Sequence, residues 1–136
     1  MEPPRPGFAV YPRTSPFLDL IGPLWSRSGE EGLEFALAID NRHVNARGFA
    51  HGGVLAALAD VALGYASAFA QEPPLRLVTA SLTVDFVGTA AKGDIVIATT
   101  DIQKIGNRLG FANCYLSSDG KRIVRASAVF ANGGPG

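Results

Sequence analysis

"NARGFAHGGVLAALADVALGYASAFA", Asn45–Ala70, decides how the rest of the chain must fold. From Val54 it is rich in Ala and Leu and apolar nearly all the way round, until "QEPP" ends it near Ala70. A helix without a polar face has to be enclosed on most sides, because exposed apolar surface on that scale is rare in soluble proteins. The run is short for a membrane span and is broken by Asp60, a residue costly at a bilayer centre. The reading is a protein-buried helix that begins near His51 or Gly52.

Downstream the apolar period switches to two. "LVTASLTVDFV" alternates Val78, Ala80, Leu82, Val84 and Phe86, and "GDIVIATTDIQKIG", "RLGFANCYLSS" and "KRIVRASAVFANG" follow. Asp119-Gly120 between the last two is a strong hairpin signal. Upstream, "EGLEFALAID" alternates Leu33, Phe35, Leu37 and Ile39, predicting a strand that ends near Asp40. "SPFLDLIGPLW" offers Ser15 as N-cap, Pro16 at the first helical position and Gly22-Pro23 as a stop, hence one short helix. Consecutive strands favour an antiparallel meander over parallel units. The simplest α+β arrangement is a curved antiparallel sheet of five or six strands wrapped around the long helix. Apolar surface left on the helix and at the sheet edge predicts a partner subunit.

A chain of 136 residues, 47% of them hydrophobic, holds one core and is short for two domains. The proline-rich residues 1–14 read as an extended lead-in and 15–136 as the single domain. Twelve basic and twelve acidic side chains balance, which removes the broad attraction expected of a nucleic-acid or anionic-membrane binder. The proline-rich start has no uninterrupted apolar core of signal-peptide type, predicting a cytoplasmic protein. Cys114 stands alone in an alternating stretch and reads as a buried small hydrophobe. No Cys/His cluster has metal-ligand spacing, so no metal is expected.

Asp60 is the most informative residue. Ala56, Ala57, Leu63 and Gly64, one turn away, offer no cation to pair with it. Desolvating an unpaired carboxylate costs on the order of several kcal/mol, so something outside the helix must compensate. Asp60 either hydrogen-bonds a loop or faces solvent at a subunit boundary, or serves as general base or nucleophile in a cleft, where burial raises a carboxylate's basicity. Gly52 and Gly53 open the helix, where backbone N–H groups lack acceptors and the macrodipole is positive. That is the geometry of an oxyanion hole, although two glycines alone read equally as a tight turn into the helix. His51 and Asn45 supply a donor or acceptor beside this mouth, whereas His43 reads as a loop residue without a role.

The joint pattern "HVNARGFAHGGVLAALADVALG", an Asn, a Gly, His-Gly-Gly opening the helix and Asp in mid-helix, resembles the signature of hotdog-fold acyl-CoA thioesterases of the phenylacetic-acid-pathway type. The resemblance implies a hotdog fold with the helix as filling, and a homodimer with sheets joined edge to edge, doubling into a homotetramer. The active site it implies lies at the protomer interface, with Asp60 of one chain facing the His51–Gly53 turn of the other. Gly53 N–H, assisted by His51, would polarise the thioester carbonyl, Asp60 would activate water with Asn45 positioning it, and Thr79 would stand beside the carboxylate. "KIGNRLGF" matches the nucleotide-side segment of that family, making Lys104, Gly106, Asn107 and Arg108 contacts to coenzyme A. Gly52, Ser81 and Phe86, Val87 and Gly88 complete the substrate-binding set. Coenzyme A would enter as part of the substrate, with no metal or redox cofactor.

Two other activities share this fold. One is an acyl-CoA-binding protein without turnover, which has no need of Asp60. The other is enoyl-thioester hydration, for which Asp40 before His43 and His51 gives a weaker match. The acyl group itself depends on Leu63, Tyr65 and Phe69, whose disposition the sequence leaves open.

Overall fold

Seven strands and two helices succeed one another along the computed structural model, which describes residues 1–136. They are β1 (Ala9–Val10), α1 (Pro16–Ile21), β2 (Trp25–Gly29), β3 (Gly32–Ala38), α2 (Gly52–Ala68), β4 (Leu75–Phe86), β5 (Ile95–Ile105), β6 (Leu109–Ser118) and β7 (Lys121–Pro135). All pairings are antiparallel, in the order β1-β2-β3-β5-β6-β7-β4.

Helix α2 touches β3, β4, β5, β6 and β7. Five adjacent strands laid flat would span about 19 Å, nearly twice a helix diameter of about 10 Å, so the sheet must curl around the helix to make those contacts. The helix buries Leu55, Leu58, Ala59, Ala62 and Leu63 against Phe35, Leu37, Val96, Ala98, Leu116, Val124 and Phe130 of the sheet. The hotdog architecture is therefore present. No helix is long and apolar enough to cross a membrane.

Local chemistry sets the element ends. Ser15 Oγ accepts from Leu18 N–H at 3.3 Å and Pro16 opens α1, as read from the sequence. Asp119 and Gly120 both have positive φ, the left-handed pair that matches the twist of the β6–β7 hairpin. Two of the seven strands, β1 and β2, lie outside the stretches that the sequence marks as strands. In the extended lead-in, Ala9–Val10 pair with β2, and β2 pairs with β3. Their reward is a second apolar cluster of Phe8, Trp25 and Ala36, on the face of the sheet away from α2. "SRSG" after Trp25 carries no alternation that would announce a strand.

Strand β4 departs from the alternation expected of it. A bulge lies between Thr79 and Ser81, where the register against β7 slips by one residue, leaving one residue of β4 unopposed. Before it, Leu75 and Leu77 point towards the core; after it, Leu82 and Val84 do. Val78, expected on the apolar face, is 68% exposed. Thr79 consequently shares the inward face with Leu75 and Leu77, opposite the helix.

Candidate active site

Asp60 sits on the flank of α2 that faces β4, half-buried beside the fully buried Ala59, Ala62 and Leu63. Thr79 Oγ1 donates a hydrogen bond to Asp60 Oδ1 at 2.8 Å. The bulge following Thr79 aims its hydroxyl at the carboxylate; in an unbroken strand that kept Leu82 and Val84 inward, Thr79 would face outward. The outside compensation that Asp60 demanded is thus a hydroxyl donor, and the second carboxylate oxygen remains available for water or substrate.

From this pair a cavity of about 480 Å³ extends between α2 and β4 towards the helix C-terminus. Asp60, Gly64 and Ala68 all line it; recurring every four residues, they lie along one line of the helix and leave a trough of small side chains. Tyr65 and Phe69 form one wall, with ring centroids 6.2 Å apart, and Leu75 and Leu77 the other. Phe130, paired in register with Thr79, lines the base. Such a trough accepts an extended apolar or aromatic group whose reacting end lies at Asp60.

The helix N-terminus holds the second group of candidate residues. Val54 N–H donates to His51 O at 3.0 Å, so the preceding Gly52 and Gly53 N–H groups have no acceptor within the helix. A Cβ on Gly53 would meet nothing within 4 Å, leaving an open approach, whereas one on Gly52 would lie 3.3 Å from the Phe86 ring. The exposed His51 side chain makes no capping bond. Asn45 Oδ1 accepts from Arg47 and Phe49 N–H at 2.9 and 3.2 Å, so the side-chain oxygen shapes the loop and the amide NH₂ is the part left for a ligand.

His43, read from the sequence as a loop residue without a role, pins this loop in place. It is buried; Nδ1 accepts from Asp40 N–H at 2.9 Å, and Nε2 pairs with Ile21 O at 2.7 Å. The Asp40 donor assigns the ring proton to Nε2. His43 O in turn accepts from His51 N–H at 2.8 Å, tying the end of α1 to the start of α2. Beside it, the Arg42 guanidinium bonds Leu20 O and Gly22 O and holds the Asp40 carboxyl down at about 2.

One chain brings together Asp60 with Thr79, and separately Asn45, His51, Gly52, Gly53 and Phe86. It does not join the two groups, because Gly53 and Asp60 are seven residues apart on α2. At the rise of an α-helix that is on the order of 10 Å. The remaining candidates also divide. Lys104, Asn107 and Arg108 are exposed at the β5–β6 turn, where Asn132 Nδ2 donates to Gly106 O at 2.8 Å, on the side of the sheet where β4 begins. Phe86, Val87 and Gly88 lie at the other end of β4, with Val87 and Gly88 N–H both bonded to Ile123 O. A Cβ on Gly88 would stand 3.1 Å from Ile123, so a side chain there would require Ile123 to give way slightly. Ser81 is exposed on β4 and faces neither group. Cys114 is fully buried and burial pushes its thiol up to about 12, which makes it structural. Arg13, Arg76, Gly64 and Phe130 line the cavity without any signal in the sequence to single them out.

Comparison with known proteins gives a consistent picture. The family model of the thioesterase superfamily matches residues 47–124, the segment from the loop before α2 through the first strands of the meander and into β7. A Pseudomonas aeruginosa protein named only as an esterase is 46% identical over 125 residues, covering 91% of this chain and 93% of that protein. An acyl-coenzyme A thioesterase of Rattus norvegicus is 27% identical over 120 residues, covering 77% of this chain and 50% of that one. Among solved structures, a mutant of the phenylacetic acid degradation protein PaaI of Thermus thermophilus superposes with a TM-score of 0.75 at 24% identity, covering 86% of this chain and 98% of that one.

Proposed function

The chain belongs to the thioesterase superfamily and is a thioester hydrolase, and from that premise we propose that it cleaves acyl- or arylacyl-coenzyme A to the free acid and coenzyme A. The observation that carries this reading is the Thr79–Asp60 pair at the head of an apolar trough. In the proposed reaction Asp60 takes a proton from a water whose oxygen bonds to the thioester carbonyl carbon. The carbonyl electrons move to oxygen, where the free N–H of Gly53 and the positive end of the α2 dipole receive them. Collapse breaks the carbon–sulfur bond, and the proton held by Asp60 passes to the departing thiolate. Thr79 holds the carboxylate in one orientation, and the Asn45 amide and His51 act at the carbonyl and the water.

A single chain keeps Gly53 on the order of 10 Å from Asp60, so the reaction calls for two copies. The outer edge of β4 has no partner strand, and Val78 and Phe86 are exposed along it. Two such edges joined by a two-fold axis run antiparallel. The end carrying Phe86, Gly52 and Gly53 then meets the other copy's end carrying Thr79 and Asp60. The same pairing gathers Phe86, Val87, Gly88 and Ser81 of one copy and Lys104, Gly106, Asn107 and Arg108 of the other into one path for pantetheine and phosphates. The proposed working unit is this homodimer, with a dimer of dimers as the larger assembly. The scheme draws only on this chain's groups and water, and the location proposed with it is the cytoplasm.

The test is thiol release from a panel of phenylacetyl-, hydroxyaryl- and fatty acyl-CoA thioesters by wild type and Asp60→Asn. Loss of a general base lowers turnover about 10²- to 10⁴-fold, with the urea midpoint nearly unchanged. Wild type that binds the panel and releases no thiol would instead be an acyl-CoA binder. Consumption of an enoyl thioester without thiol release would make it a hydratase.

A further inference from the structure

The trough below Asp60 is apolar in its middle and cationic at its far end. Phe69 caps α2 nine residues beyond Asp60. At the rise of an α-helix this separation is on the order of 13 Å. Arg13 and Arg76 line the same cavity. The Arg13 guanidinium carbon lies 4.6 Å from the centroid of the Phe69 ring, and Arg76 donates one N–H to Gly133 O at 3.0 Å. Neither takes part in the chain's ion pairs, which join Arg27 to Glu34, Arg42 and His43 to Asp40, and Arg125 to Asp85. The only carboxylate side chain lining the cavity is Asp60, at the opposite end. Gly136 lines the cavity too, so close to Arg76 that a Cβ on it would overlap the arginine stem.

Two guanidinium groups without side-chain carboxylate partners at the far end of an apolar trough need a chemical reason. The last carbonyls of α2 give that end a partial negative charge, which on its own would turn an anion away. The arginines reverse the sign there, and a guanidinium presents paired N–H donors that match a carboxylate. Resting on the thioesterase reading above, we propose that Arg13 and Arg76 form a distal anion subsite that selects acyl groups ending in a carboxylate, that is, ω-carboxyacyl-coenzyme A thioesters of medium length. The apolar walls take the methylenes, the thioester carbonyl lies at Asp60, and the far carboxylate meets the two arginines. The span corresponds to roughly ten extended carbon–carbon bonds.

The test compares kcat/KM for suberoyl- and sebacoyl-CoA with octanoyl- and decanoyl-CoA, in wild type and in the double variant Arg13→Gln, Arg76→Gln. Wild type is expected to favour the dicarboxylic series, and the double variant to lose that preference by on the order of tenfold. Reversing both charges, Arg13→Glu with Arg76→Glu, is expected to invert the preference in favour of an ω-aminoacyl thioester. An unmoved ratio overturns the proposal. So does an equal fall for both series, since that would place the arginines on the coenzyme A portion common to all substrates. The same comparison with non-hydrolysable thioether analogues, read as binding by calorimetry, decides the subsite even if no thioester is turned over, an outcome that would overturn the hydrolase reading alone.

Discussion

Gly64→Ala should stabilise the fold and damage the trough at once. Gly64 lies inside α2 with an ordinary helical backbone, one turn beyond Asp60. A glycine there costs about 0.5–1 kcal/mol relative to alanine, because it has more freedom to lose on folding. The added Cβ would find the Phe130 ring at 4.0 Å, ordinary van der Waals contact, so no clash offsets the gain. For a chain of 136 residues that gain raises Tm by about 2–4 °C, measured at one fixed protein concentration. The same methyl group projects into the trough. Overpacking by one methyl costs about 1 kcal/mol, or roughly fivefold in kcat/KM for an acyl chain long enough to pass it, and Gly64→Leu should cost far more. Acetyl-CoA, which ends before Gly64, should lose least. A stabilised variant with an unchanged chain-length profile would refute the trough as the acyl path. A destabilised one would refute the packing argument beside Phe130.

Three further outcomes follow from groups outside the trough. His43→Ala leaves Asp40 N–H and Ile21 O without partners, and each buried orphan costs about 1–3 kcal/mol, so a loss of roughly 2–5 kcal/mol in urea unfolding is expected. A loss below about 1 kcal/mol would mean that water replaces the ring. Asp40 titrates at about 2 instead of its ordinary 3.8 because Arg42 hydrogen-bonds its charged form. Its contribution is present above the unfolded value and disappears as pH falls through about 2, since protonation then removes the charge that the folded state favours. The pair is half exposed, so it is worth at most about 1 kcal/mol, and the difference in urea midpoint between wild type and Asp40→Asn should vanish by about pH 2. Cys114, its thiol raised to about 12 by burial, should resist a disulfide reagent in the native protein and react promptly once urea exposes it; fast native labelling would contradict its position.

Local patterns carried much of the fold. The apolar circumference of Val54–Ala68 demanded enclosure, and the period of two after Leu75 supplied strands to do it. Ser15, Pro16 and Asp119-Gly120 marked their elements because capping and turn chemistry act over a few residues. Strand β2 escaped notice because its partner β3 and the Phe8–Trp25 cluster, and no alternation of its own, hold it in the sheet. His43 was illegible for a related reason, since its partner Ile21 O is 22 residues away.

The sequence by itself determined that a carboxylate would stand in an apolar helix whose mouth offers free N–H groups, because both follow from residue type and helical spacing. Only the tertiary structure decided what meets that carboxylate. Continuous alternation groups Val78 with Leu82, yet the bulge between Thr79 and Ser81 exposes Val78 and turns Thr79 onto Asp60. A bulge is a mismatch between two strands, so neither strand's sequence contains it. The arginines at the far end of the trough are likewise a product of packing. Arg13 and Arg76 stand 63 positions apart and converge because the lead-in and the start of β4 both reach the C-terminal end of α2.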